Sequence, residues 1–252
     1  IKNCTDEWNK IQAASKTSYP ETPKGDQTSL DDQVRTQYGV YVGMEYTVGD
    51  FIYRVTAIDS ITSGRTKLIG VVAAKKSKLT KVTVPNTANF KGYGLNVTEV
   101  GDNAFKAMKK LKKVTFGANV KVIGNAAFSN CKKLNKINFK NVTTIGNNAF
   151  AGCKALKKLT IGSKVTTIGK NAFKKCTKLK TVVMGKSVKT IKAKAFTKDN
   201  KIKKITFKGK KLKTVKKNAL SSKVKKNIKT KKTKLKGNKK AIKVFKKKLK
   251  IK

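Results

Sequence analysis

The side chains able to do covalent or acid–base chemistry are few. The chain of 252 residues has no His. That removes Ser–His–Asp and Cys–His nucleophile systems, imidazole proton shuttles and His-ligated metals. Four Cys are present (Cys4, Cys131, Cys153 and Cys176), but no C-x-x-C pair supplies a zinc ligand set. Of twelve acids, eleven fall within residues 1–102, and Asp199 stands alone beyond them. A two-carboxylate hydrolase would have to draw on Glu99 and Asp102 or on the stretch before them. No phosphate loop of the form G-x-x-x-x-G-K-S/T occurs. A Ser/Lys pair is the one nucleophile arrangement the composition leaves open, and no motif places it. The expectation is a protein that is not an enzyme, with no catalytic residue, no metal and no cofactor.

Binding chemistry has richer material. The net charge is +50 and it is unevenly placed. Residues 1–102 carry 10 Lys, 3 Arg and 11 acids, whereas residues 103–252 carry 49 Lys and one acid. Lys81, Lys113, Lys136, Lys158 and Lys204 return at one position of successive strand-like pieces, with Thr181 filling the slot between the last two. Two residues on stand Thr83, Thr115, Asn138, Thr160, Val183 and Thr206. A third series is Thr144, Thr167, Thr190 and Thr214. On adjacent strands, equivalent lysines lie roughly 5 Å apart, inside a Debye length of about 8–10 Å. Their mutual repulsion is incompletely screened, and a polyanion would reverse it. Lys81, Lys113, Lys136, Lys158, Lys204, Thr115, Thr160 and Thr206 are therefore the candidate ligand-binding residues.

The expected partner is an anionic surface polymer such as teichoic acid, a sulfated or sialylated glycan, or a host protein. The plainer alternative is that Lys solubilises an exposed face and Thr suits a strand. Nucleic acid fits the bulk charge. However, the array lacks Arg for base reading and exposed aromatics for stacking. Binding of that kind would be non-specific and salt-sensitive.

These ladders need elements stacked in register, and the sequence supplies a repeat. Phe105, Phe128, Phe150, Phe173, Phe196 and Leu220 are separated by 23, 22, 23, 23 and 24 residues. An Ala precedes each of them: Ala104, Ala127, Ala149, Ala172, Ala195 and Ala219. Three residues after come Met108, Cys131, Cys153, Cys176, Asp199 and Lys223. Upstream, an apolar pair recurs from Val97/Val100 and Val120/Ile123 to Leu212/Val215. A unit this short cannot bury its own apolar face, so neighbours must stack. In L-K-K-V-T-F, Val114 and Phe116 should point inward, with Lys113 and Thr115 outward. The A-F-x-x-C-x-x-L spacing suggests a short helical turn, with Asn103, Asn148, Asn171 and Asn218 as N-caps. The three aligned Cys cannot all pair, so buried free thiols are expected.

The motif I-G-x-x-A-F-x-x-C-x-x-L-x-x-V-x-F, seen here as IGNNAFAGCKALKKLTI, resembles that of the BspA-like leucine-rich-repeat proteins of bacterial surfaces. It covers residues 79–223. The resemblance implies an α/β solenoid: a leucine-rich-repeat array of strand, turn and short helix units with an N-terminal β-hairpin cap. It further implies a non-enzymatic extracellular module, cell-surface or secreted, linked to adhesion. A cell-wall retention or spacer module, held to teichoic acid by its lysines, is the alternative.

Four regions follow. Residues 1–40 are an N-terminal extension and linker. Its first 12 residues read equally as a terminal helix or as the closing piece of a preceding array. Residues 41–78 form a β-rich cap, residues 79–223 the array, and residues 224–252 a Lys-rich C-terminal cap or tail. The last is either a degenerate rung with a basic strand or helix, or a disordered tail. A further hairpin is expected around residues 91–94. The chain starts at Ile1 with no initiating Met and no signal-peptide pattern, as a processed or cut piece would. No run of 18 apolar residues occurs to span a membrane.

Overall fold

A computed structural model describes residues 42–58, 68–74, 78–90, 93–216 and 218–251. The readings made for residues 1–40 lie outside these. The N-terminal strands are β1 (Glu45–Val48), β2 (Phe51–Ile58), β3 (Leu68–Ala74), β4 (Lys81–Val84), β5 (Thr87–Phe90), β6 (Tyr93–Asn96) and β7 (Glu99–Val100). Then long and short strands alternate: β8 (Lys113–Phe116), β9 (Val122–Ile123), β10 (Lys136–Asn138), β11 (Thr144–Ile145), β12 (Lys158–Thr160) and β13 (Thr167–Ile168). The alternation continues through β14 (Thr181–Met184), β15 (Thr190–Ile191), β16 (Lys204–Phe207) and β17 (Thr214–Val215). The chain closes with α1 (Ser222–Lys229), β18 (Lys234–Gly237) and α2 (Lys239–Leu249).

Each coil contributes one strand to each of two parallel faces. The short strands pair in the order β7-β9-β11-β13-β15-β17. The long strands form two runs, β4-β8-β10 and β12-β14-β16-β18. The N-terminal cap is a separate sheet, β1-β2-β3-β6-β5, in which β1 and β2 make the expected hairpin. The β5–β6 hairpin, inserted between β4 and β7, also joins this cap sheet.

The core is a row of identical slots. Phe105, Phe128, Phe150, Phe173 and Phe196 stack with ring centroids 5.0, 5.2, 5.4 and 5.4 Å apart and planes within 8°. Phe51 of β2 sets its ring edge against Phe105 at 6.0 Å, so the cap closes the first slot. At the other end Phe245 of α2 meets Phe207 at 5.0 Å. Burying one such Phe stabilises by about 1.5–3 kcal/mol. Because each ring lies on the next, the stacking contributes beyond area alone.

The expected short helix shrinks to single turns inside the array. The N–H groups of Phe105, Phe128, Phe150, Phe173 and Phe196 donate across the stack to Ala127, Ala149, Ala172, Ala195 and Ala219 at 2.7–2.9 Å. The residues two before and two after do likewise: Asn148 N–H donates to Lys170 and Gly152 N–H to Lys174. With every second donor turned to the next coil, an i→i−4 ladder cannot start. Only the intervening donors stay local, as in Ala151 N–H to the Asn148 carbonyl.

The asparagines read as N-caps have a different role. Asn103, Asn148 and Asn171 hold φ of 60°, 55° and 56°, the left-handed region that Asn tolerates better than most residues. A second left-handed column is Ala107, Asn130, Gly152, Lys175 and Lys198. Among the described residues, true helices occur only in the last coil, where neighbour-to-neighbour bonding ends. Ser221 caps α1 by accepting from Val224 N–H, and Asn238 caps α2 by accepting from Ala241 N–H. The C-terminal region thus contributes a final rung and a closing helix.

Candidate binding face

The long-strand face carries the columns the repeat predicted. In β8, Val114 and Phe116 are buried, Lys113 is exposed and Thr115 half-buried. Strand pairing then aligns equivalents. Lys81, Lys113 and Lys136 are direct register partners, as are Thr83, Thr115 and Asn138. Beyond them Lys158, Thr181, Lys204 and Lys234 are in register, alongside Thr160, Val183, Thr206 and Lys236. Equivalent positions are one rung apart, a spacing matched by the 5.0–5.4 Å between stacked phenyl rings.

The candidates are not one unbroken row. Lys158 and Lys204 are two rungs apart because Thr181 separates them. No ladder joins β10 to β12, so Lys136 and Lys158 belong to different strand runs. This break coincides with the shortest unit, the 22 residues between Phe128 and Phe150.

Two sets of residues escaped the sequence reading. Lys234 and Lys236 extend both columns onto β18. They were hidden because the motif's Leu is missing: by register Lys232 takes the Ile202 position, and Thr233, at the Lys203 position, is buried and donates its hydroxyl to the Ile202 carbonyl at 2.8 Å. The alternation K-L-K at 234–236, matching K-I-T at 204–206, was the available signal. The second set is Lys112, Lys157, Lys180 and Lys203, exposed at the mouth of each strand. Lys180 N–H donates to the Lys157 carbonyl and Lys203 N–H to the Lys180 carbonyl, both at 2.8 Å, so these also align. Among the described residues the ion pair is Arg54 with Glu45, in the cap. No face lysine forms an ion pair with a carboxylate of the described residues.

Among the described residues the thiols are sealed in the core and Asp102 is engaged in hydrogen bonds. Cys131, Cys153 and Cys176 are fully buried free thiols. Their S–H groups donate to the carbonyls of Phe105, Phe128 and Phe150 at 3.0, 3.3 and 3.4 Å. Burial pushes Cys131 up to about 11 and raises Cys153 and Cys176 well above an ordinary thiol. None is an activated nucleophile. Asp102 accepts from the backbone N–H and side-chain amide of Asn125 and starts a ladder that runs on through Asn147 to Lys170 N–H. Glu99, half-buried beside it, is raised by desolvation and then by Asp102. The two line a groove of about 490 Å³ with Arg54. Among the described residues no group of three His, Cys, Asp or Glu could hold a metal ion.

Comparison with known proteins agrees with this geometry. The BspA type leucine-rich repeat region matches residues 96–233 in six copies. Among solved structures, a leucine-rich cell surface protein from Faecalibacterium prausnitzii is 24% identical, with TM-score 0.51 over 72% of this chain and 51% of its own. A leucine-rich repeat protein from Bacteroides ovatus is 23% identical, TM-score 0.49, over 78% and 54%. One from Bacteroides capillosus is 27% identical, TM-score 0.40, over 48% and 84%. The chain spans about half the length of the first two. No curated protein matches.

Proposed function

The chain belongs to the BspA type leucine-rich repeat family, and from that premise we propose that it is a non-enzymatic adhesion module of a bacterial surface protein. Repeat arrays of this kind generally present surfaces rather than reaction centres. Among the described residues no helix is long and apolar enough to cross a membrane. The module works outside the cell and binds an anionic polymer, a glycan or an acidic host component through its long-strand face. The observation that carries the reading is the register of exposed lysines, Lys81, Lys113 and Lys136 on one run and Lys204 with Lys234 on the other, flanked by Thr hydroxyls. Lys81, Lys113, Lys136, Lys158 and Lys204 neutralise charge. Thr115, Thr160 and Thr206 offer hydroxyls between them.

The test is retention on teichoic acid, sulfated glycan and duplex DNA columns at physiological salt. The triple variant Lys113→Gln, Lys136→Gln and Lys158→Gln is run beside the parent. Selective retention of a polymer by the parent, lost in the variant, is expected. Equal retention of both on all three columns would reduce the face to a general cation. Release from teichoic acid by moderate salt, with no host ligand bound, would favour wall retention over adhesion.

A further inference from the structure

The last strand of the long-strand face leaves a usable edge. Lys234 N–H donates to the Lys203 carbonyl at 2.8 Å, and Asn238 N–H to the Phe207 carbonyl at 2.9 Å. In a parallel pair this phase turns the backbone of Lys234 and Lys236 toward β16. The N–H and C=O of Leu235 then face the other way, where no strand among the described residues follows. Helix α2 packs on β17 and β18 through Ala241, Phe245 and Leu249, closing the end of the core. It does not add a strand to β18.

Beside that edge lies a groove of about 420 Å³ with an apolar floor of Ile228, Leu235 and Ile242. Lys231, Lys236 and Lys246 rim it. No acid occurs in the chain after Asp199, so nothing within this end neutralises the rim. An exposed strand edge is a template for another chain. Its lysines repel a second basic edge and select an acidic partner.

We propose that β18 is a docking edge for an extended peptide of alternating acidic and apolar residues, which adds to the sheet as a further strand. Backbone pairing goes to Leu235, alternate apolar side chains go to the Ile228–Leu235–Ile242 floor, and carboxylates go to the lysine rim. Lys236 ends one of the columns, but the Leu235 backbone and the Ile228–Leu235–Ile242 floor lie outside them, so a loss tied to backbone pairing is distinguishable from a loss of the lysine face. A membrane is the less suitable partner, because the apolar face of α2 is already spent on the core.

Fluorescence polarisation decides it, with a labelled seven-residue peptide of alternating Glu and Val as the probe. The control is the same peptide N-methylated at alternate residues, with equal charge but no pairing backbone. The expected result is binding by the probe and a loss of at least about tenfold for the control. Leu235→Pro removes a donor that the sheet does not use. It should weaken the probe by a similar factor and leave the melting temperature near that of the parent. Since this substitution also trims the floor, Leu235→Val serves as the companion and should retain most of the binding. Equal affinity for the probe and its methylated control would overturn the proposal, as would absence of binding at low salt. Anionic vesicles that displace the probe from the parent but bind Leu235→Pro equally well would assign this end to a lipid surface instead.

Discussion

The coils at 120–190 and those after 190 share one path and differ in what fills it. In the earlier coils each slot is apolar, with Ala127, Phe128 and Cys131 repeated as Ala149, Phe150 and Cys153. Later, Asp199 takes the Cys slot, fully buried and with neither carboxylate oxygen accepting a side-chain partner. Leu220 takes the Phe slot, and Lys194 and Lys198 hold left-handed φ of 57° and 64°. Yet Phe196 N–H still reaches the Ala219 carbonyl at 2.8 Å, and β15 still pairs β17. Register is therefore kept by backbone bonds between coils, which are indifferent to side-chain type. Stability is set slot by slot, as expected when each repeat touches only its neighbours.

The contrast can be broken most severely in its well-filled part. Phe150 has phenyl neighbours on both sides, at 5.2 and 5.4 Å. Phe150→Ala should cost about 3–5 kcal/mol. Leu220→Ala, with one phenyl neighbour in the stack, should cost less. Urea unfolding of the two variants measures the difference, and equal costs would dissolve the distinction between the regions.

Asp199 sharpens the contrast from the other side. Burial pushes its carboxyl from 3.8 up to about 8. Between those values the folded protein holds a proton that the unfolded chain has released. Stability should accordingly fall by about 1.4 kcal/mol per pH unit as pH rises through that window, and level off above it. Asp199→Cys refills the column and removes the titration. The pH-dependent part of the variant's gain should reach about 4 kcal/mol at neutral pH and vanish below pH 4. Denaturant midpoints across this range, parent against variant, check it; parallel curves would count against a buried acid.

The smallest effect concerns backbone strain. Ala126 sits at φ 52° in the column that Asn103, Asn148 and Asn171 occupy. Ala126→Asn should stabilise by about 0.5–1 kcal/mol, read as a small rise in midpoint. The same change at Lys194 should help by a comparable amount.

Much of this architecture was legible in the residues. The Phe, Ala and Cys columns and the inward–outward phase of Lys113–Phe116 follow from spacing, because core slots tolerate few side chains. The A-F-x-x-C spacing reads as a short helical turn, and it stays a single turn because its donors bond between coils. A pattern within one unit cannot report bonds to the next. The last rung was obscured because Lys232 stands at the motif's Leu position, while Thr233, one residue on, turns inward with its hydroxyl satisfied by the Ile202 carbonyl. In the lysine columns, position was readable; which lysines touch across strands depended on register and on the break between β10 and β12.

The three sealed thiols carry a consequence for the protein's lifetime. While the coils stay closed, oxidants cannot reach the sulfurs, so free cysteines are tolerable in the oxidising surroundings proposed here. Once a molecule opens there, Cys131, Cys153 and Cys176 are released together. Any mispaired bridge among them would then bar the way back. Unfolding becomes a one-way loss, and the useful life of the module is governed by how rarely it opens rather than by how favourably it refolds.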